Sequence, residues 1–153
     1  MKIHQNITEL IGQTPIVELQ SFSQESNSAK LFGKVEFFNP GGSVKDRLAY
    51  ALIQDALLQN QMTVHTTIIE ASSGNTGIGL AAVGAAMGIK VIIVMPETMS
   101  IERRKIVQAY GAQLVLSDGT KGMTGAIARA KELLEATEDS IMLGQFTNKV
   151  NSK

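Results

Sequence analysis

From residue 43 onward the chain alternates helical and strand-like patterning with only short connections, and this order constrains the fold more than any other feature. Ser43 opens a helical pattern, with Leu48, Leu52 and Ala56 at spacing four and Ala49, Ile53 and Leu57 beside them. Thr67 to Glu70 reads as a short strand, Thr76 to Met87 as a helix ended by Gly88, and Lys90 to Met95 as a fully apolar strand. Ser100 to Tyr110 then reads as a charged helix stopped by Gly111. Gln113 to Leu116 is a strand, Gly122 to Ala136 an amphipathic helix, and Ile141 to Leu143 a last strand. Consecutive strands joined by helices pair in parallel through right-handed crossovers. The predicted class is therefore α/β, an open parallel twisted sheet with helices on both faces. The helix over 76–87 is apolar almost all round, with Gly79, Ala82, Gly84 and Ala86 allowing close neighbours, so it is expected to be buried. Before residue 43, Val17 and Leu19 and then Leu31 to Phe38 read as strands.

Composition narrows the function. Among 153 residues, 14 basic side chains balance 14 acidic ones, and no basic run exists to attract nucleic acid or an anionic membrane. The absence of Cys removes disulfides, thiolate nucleophiles and sulfur-ligated metals, and His4 and His65 are too few for a zinc site. Thiol-free composition suits the cytoplasm. The polar start of the chain does not read as a signal peptide, and the sequon at Asn6 is expected to be fortuitous. The apolar stretch 77–95 is nearly long enough to span a membrane, but its glycines and Lys90 fit a buried helix followed by a buried strand. The methionines read as core filler.

In open parallel sheets, ligands sit beyond the C-terminal ends of strands, where helix N-termini present free N–H groups. Two loops meet that description. In Asn39-Pro40-Gly41-Gly42-Ser43-Val44-Lys45-Asp46-Arg47, Ser43 and Asp46 have capping-box spacing, which places Lys45 in the first helical turn. The positive helix end and any burial would favour a neutral amine there, able to form a Schiff base. A solvated lysine in an ordinary helix start is the competing reading. In Ser72-Ser73-Gly74-Asn75-Thr76-Gly77-Ile78-Gly79, hydroxyls, an amide and glycine-exposed donors converge on a helix start. They can seat a carboxylate or phosphate, or merely cap the helix. A dinucleotide reading, with Glu97 as the ribose-binding acid, meets the wrong glycine spacing: Gly74, Gly77 and Gly79 give G-x-x-G-x-G. Ser100 to Lys105 reads as a solvated charged face, and Lys121 between Gly119 and Gly122 lacks P-loop spacing.

Several motifs occur in order: Ile7-Thr8-Glu9-Leu10-Ile11-Gly12-Gln13-Thr14-Pro15, the Lys45 loop, and Ser73-Gly74-Asn75-Thr76-Gly77. They are followed by Met95-Pro96-Glu97-Thr98-Met99-Ser100-Ile101-Glu102-Arg103-Arg104, Lys121-Gly122-Met123-Thr124-Gly125-Ala126-Ile127 and Gln145-Phe146-Thr147-Asn148. Together they resemble the cysteine synthase (O-acetylserine sulfhydrylase) family of pyridoxal-phosphate enzymes, which includes cystathionine β-synthase.

The resemblance implies that Lys45 binds pyridoxal 5'-phosphate as a Schiff base and, once freed, takes the substrate α-proton. It implies that Asn75 bonds the cofactor ring hydroxyl, and that Ser72, Ser73, Gly74 and Thr76, assisted by Gln145, bind the substrate carboxylate. Ser72 stands where Thr is more usual, a change that bears on the second substrate. The implied reaction is β-replacement on O-acetylserine or serine by sulfide or a thiol such as homocysteine. A homodimer and a complex with serine acetyltransferase are the implied assemblies. Family members continue well past this length, and their second half carries the cofactor's phosphate loop and the hydroxyl residue at its pyridine nitrogen. Residues 1–40 would then be a strip of a large domain whose remainder is absent. Residues 41–144 would be a small α/β domain, and 145–153 the start of the return to the large domain. Lys149 and Ser152 stand where Pro is common. Two other readings remain at this point: a non-catalytic domain that self-associates or pairs with a partner, and a nucleotide-binding module.

Overall fold

The computed structural model describes residues 2–22, 29–145, 148 and 151. Phe146, Thr147, Lys149 and Ser152, part of the motif after Gln145, lie outside the described residues. A short antiparallel ribbon comes first: β1 (Ile16–Glu18) pairs with β2 (Phe32–Lys34), Val17 facing Gly33. Then follow α1 (Lys45–Leu58), β3 (Thr67–Ala71), α2 (Asn75–Met87), β4 (Val91–Pro96) and α3 (Ile101–Ala109). The order ends with β5 (Gln113–Ser117), α4 (Gly122–Ala136) and β6 (Ser140–Ile141). The four later strands form one parallel sheet in the order β5-β4-β3-β6. The α/β class and the alternation from residue 43 are as the sequence predicts.

Period-two alternation assigns each strand's side chains to two separate cores. Val91, Ile93 and Met95 join Ile68 in the core beneath α1, α2 and α3, with Leu52, Ile53, Leu80 and Val107. Ile92 and Val94 join Ile69 and Ala71 in the core beneath α4, with Ala126 and Ala130. Helices thus cover both faces. The buried α2 depends on close approach: a Cβ at Gly84 would overlap Val91 Cγ2 and lie 3.2 Å from the Ile89 carbonyl oxygen. Gly84→Ala is therefore expected to destabilise by about 1–2 kcal/mol, the overlap exceeding alanine's better helix propensity. A lower urea midpoint at unchanged m-value is the measurement that checks it.

Three boundaries differ from expectation, each because a side chain intervenes. The strand expected over 31–38 stops at Lys34, and a 3-10 turn (Glu36–Phe38) follows. Glu36 is drawn to Arg47, which donates from Nε to Oε2 at 2.8 Å and from Nη2 to Oε1 at 2.9 Å. The helix expected from Ser43 starts at Lys45, and the capping box does not form. Asp46 instead accepts from the Gly41 amide at 2.5 Å, while Ser43 Oγ accepts from the Lys45 amide at 3.1 Å. The final strand, expected over 141–143, ends at Ile141. Ser100 does cap α3, accepting from the Arg103 amide, and Gly88 closes α2 in the left-handed conformation.

Candidate active site

The chain winds β3-α2-β4-α3-β5 across one face of the sheet, then returns through α4 on the other face to place β6 beside β3. The crevice between β3 and β6 is thus the point where the winding reverses, the position at which open α/β sheets bind ligands. The loop after β3 carries Ser72, Ser73 and Gly74 into Asn75 and Thr76 at the start of α2. The segment after β6 carries Gln145.

These two segments meet. Thr76 Oγ1 donates to Gln145 Oε1 at 2.6 Å, a contact across 69 residues of sequence. Ser72 is buried, and its Oγ accepts from the Gly77 amide at 2.9 Å and the Gly74 amide at 3.4 Å, so it pins the turn from below. Ser73 is half-buried and Asn75 exposed. A Cβ at Gly74 would touch nothing within 4 Å, so the space above the start of α2 is free. The backbone donors and the positive end of α2 face that space.

Lys45 belongs to α1, yet α1 crosses α2 so closely that a Cβ at Gly79 would lie 3.0 Å from the Lys45 carbonyl oxygen and 3.2 Å from Ala49 Cβ. Gly79 lies one turn beyond Asn75, so the crossing brings the first residue of α1 beside the first turns of α2. The α1 start is itself held to the N-terminal strip. Arg47 Nη2 donates to the Gly12 carbonyl at 3.0 Å and to Thr14 Oγ1 at 3.1 Å, and Asn39 Oδ1 accepts from the Gly12 amide at 2.8 Å.

Electrostatics distinguish the acids around this site. Glu36 is lowered to about 2, chiefly by its hydrogen bonds from Arg47, with Asn39 and Thr14 contributing against burial. Burial raises Asp46, opposed by the Gly41 amide. Burial also raises Glu70, opposed by the amides of Gly144 and Leu143. A cavity of about 390 Å³, lined by Glu70, Ala71, Met123, Ile127, Met142 and Gln145 among others, adjoins the β6 side, a volume suited to a small ligand.

Two residues that sequence reasoning passed over help to build the site. Arg103, read as part of a solvated charged face, donates from Nη1 to the Ser73 carbonyl at 3.1 Å and ties the loop to α3. Its signal was positional, since the start of α3 follows β4 at the same end of the sheet as the Ser73 loop. Glu70 was visible as a lone acid in an otherwise apolar strand. Arg104, from the same run, donates from Nε to the Met99 carbonyl at 3.1 Å and also bonds the Glu97 carbonyl. Glu97, the acid of the dinucleotide reading, accepts from the Gly119 amide at 3.2 Å. Among the described residues no group of His, Cys, Asp or Glu could hold a metal, and no helix is long and apolar enough to cross a membrane.

Comparison with known proteins shows the family and the fold. Residues 7–153 match the family model described as pyridoxal-phosphate dependent enzyme. Cysteine synthase B of Campylobacter jejuni is 48% identical over 148 residues, covering 97% of this chain and 48% of that protein. Cysteine synthase of a Flavobacterium species is 51% identical over 149 residues, with coverage of 97% and 48%. Among solved structures, cysteine synthase from Entamoeba histolytica superposes with a TM-score of 0.92 at 40% identity, over 99% of this chain and 46% of that one. An O-acetylserine dependent cystathionine beta-synthase from Helicobacter pylori gives 0.88 at 39% identity, over 99% and 50%. The chain thus spans about half the length of the relatives it matches. On the family match, the shared fold and these identities, the chain belongs to the pyridoxal-phosphate-dependent enzymes of the cysteine synthase type.

Proposed function

We propose that the chain supplies the lysine and the substrate-carboxylate seat of a β-replacement enzyme that converts O-acetyl-L-serine and sulfide into L-cysteine and acetate. The observation that carries this reading is the Thr76–Gln145 bond, which closes a hydroxyl-rich helix start at the sheet's switch point, beside the first residue of α1. The donor set fits pyridoxal phosphate on the side that this chain provides. Lys45 offers a primary amine for an aldehyde, and Asn75 an amide for the ring hydroxyl. Ser73 offers a hydroxyl, Thr76 a backbone N–H and Gln145 its amide NH₂ for a carboxylate, with Gly74 leaving the space above them open. When bound, the cofactor supplies the electron sink for charge developing at the substrate α-carbon. Lys45 Nζ then carries the α-proton as general base. Ser72, held beneath the turn, acts by shaping the backbone donors above it. Arg103 keeps Ser73 facing the seat.

The N-terminal ribbon supports the same reading. Ile16, Phe32, Phe37 and Phe38 are 64%, 60%, 70% and 62% exposed, a concentration of apolar surface suited to packing against further protein. In this reading residues 1–40 belong to a large domain completed by a second half of the kind the relatives possess, and residues 41–144 form the small domain. The assembly is then a cytoplasmic homodimer, open to a serine acetyltransferase partner.

The test supplies the chain with the C-terminal half of the Campylobacter relative and pyridoxal phosphate. Product is then measured with O-acetyl-L-serine and either sulfide or homocysteine. Visible cofactor absorbance and cysteine formation from sulfide are expected. Faster turnover with homocysteine would assign a cystathionine-forming acceptor instead. Self-association of the chain without any cofactor uptake would replace the enzymatic reading with that of a non-catalytic pairing domain.

A further inference from the structure

β6 is only two residues long, and the reason lies in its neighbour. Thr67 pairs with Ser140 and Ile68 with Ile141, after which the β3–β6 ladder stops. Had it continued, Ile69 and Glu70 would face Met142 and Leu143 through backbone bonds alone. Glu70 shares the α2-side face of β3 with Ile68, by period-two alternation. Glu70 is 4% exposed and its carboxylate accepts from the Gly144 amide, Oε2 to N at 3.0 Å, while the nearby Leu143 amide also favours its ionised form. Gly144 takes φ +66°, a conformation that turns the chain sharply and favours glycine. The next residue is Gln145, whose side chain lies 2.6 Å from Thr76 Oγ1 on α2.

We infer that Glu70 is a positioning residue for the carboxylate seat: by taking the Gly144 amide it ends the sheet, turns the chain toward α2 and sets Gln145 on Thr76. The inference rests on the reading of Thr76 and Gln145 as part of that seat, and it adds a residue that touches no substrate. A carboxylate suits this turn because it presents two accepting oxygens to the neighbouring Gly144 and Leu143 amides. Glutamine at this position has one accepting oxygen, and its NH₂ would oppose the second N–H. Burial of an unpaired donor is costly, so the turn would be released rather than held with a bond missing.

The test has two arms on the 153-residue chain. In hydrogen exchange, Glu70→Gln is expected to speed exchange at Leu143 and Gly144 by roughly tenfold or more, with the β3–β4 ladder from Ile68 to Val94 unchanged. Unchanged protection at 143–144, or a loss spread evenly over the sheet, overturns the inference. In the second arm, acetate is titrated onto ¹⁵N-labelled chain and followed at the amides of Asn75, Thr76 and Gly77. Glu70→Gln and Gln145→Ala are each expected to weaken acetate by about fivefold, and the double variant no further, since both act through one group. A double variant weakened by the product of the two effects would overturn it. If wild-type chain binds no acetate, the seat itself is lost, while the exchange arm still decides whether Glu70 holds the turn.

Discussion

Lys45→Ala, in the chain supplied with a relative's C-terminal half, is expected to abolish visible cofactor absorbance and to lower the rate of cysteine formation by at least about 10²–10⁴, the range for losing a positioned general base alone. Attachment of the cofactor through the same amine makes the larger figure the more natural one. The fold should survive. Lys45 is the first residue of α1, half-buried, with its backbone rather than its side chain packed on Gly79, and alanine is well tolerated in a first helical turn. The urea midpoint should therefore stay near that of the wild type while colour and activity disappear. Lys45→Arg sharpens the comparison, because it keeps the positive charge but offers a guanidinium that does not deprotonate to a reactive amine. A colourless, inactive arginine variant separates amine chemistry from charge. A Lys45→Ala protein that stays yellow and turns over at the wild-type rate would place the reacting amine on another lysine, and the proposed site would fail.

Much of this arrangement follows from patterns that a sequence displays directly. Alternating helices and apolar strands gave the parallel sheet, and the rule that ligands gather beyond strand C-termini singled out the Lys45 and Ser73 loops. What was illegible were contacts between residues far apart in the chain. Nothing local distinguishes Arg103 from its solvated neighbours in a mixed-charge run. Only the return of α3 to the end of β4 brings its guanidinium to the Ser73 carbonyl. The capping box at Ser43 failed because Asp46, with a choice of donors, takes the Gly41 amide in the preceding turn. Glu70 shortened β6 in the same way, by substituting a side chain for ladder bonds. In each instance a carboxylate or guanidinium redirected backbone polar groups that local pattern would assign to regular structure. The strip before residue 40 departed furthest, since Glu36 bonds Arg47 eleven residues on and stops the strand expected to reach Phe38.

That Glu36–Arg47 pair should dominate the acid limb of stability. Glu36 titrates at about 2 in the folded chain, against an ordinary 4.5. Between those values the unfolded chain binds a proton that the folded chain does not. Stability from this group is therefore complete above about pH 4.5 and is lost as pH falls toward 2. Asp46 and Glu70 act with the opposite sign, because burial raises both. Each favours the folded state while protonated, and that contribution fades as pH rises through its raised value. Glu36 should thus lower the wild-type urea midpoint below pH 4.5, with uptake on the order of one proton per unfolding event, against the opposing contributions of Asp46 and Glu70. In Glu36→Gln the midpoint at neutral pH should drop, and the slope between pH 4.5 and 2 should flatten. Parallel wild-type and variant curves through that window would overturn the assignment. The consequence reaches the site, because Arg47 follows Lys45 by two residues on α1 and ties that helix start to Gly12 and Thr14. Loss of the pair should accordingly speed amide exchange in the first turn of α1 before the β3–β4 ladder is affected, loosening the helix start that carries the reactive lysine while the sheet beneath it remains formed.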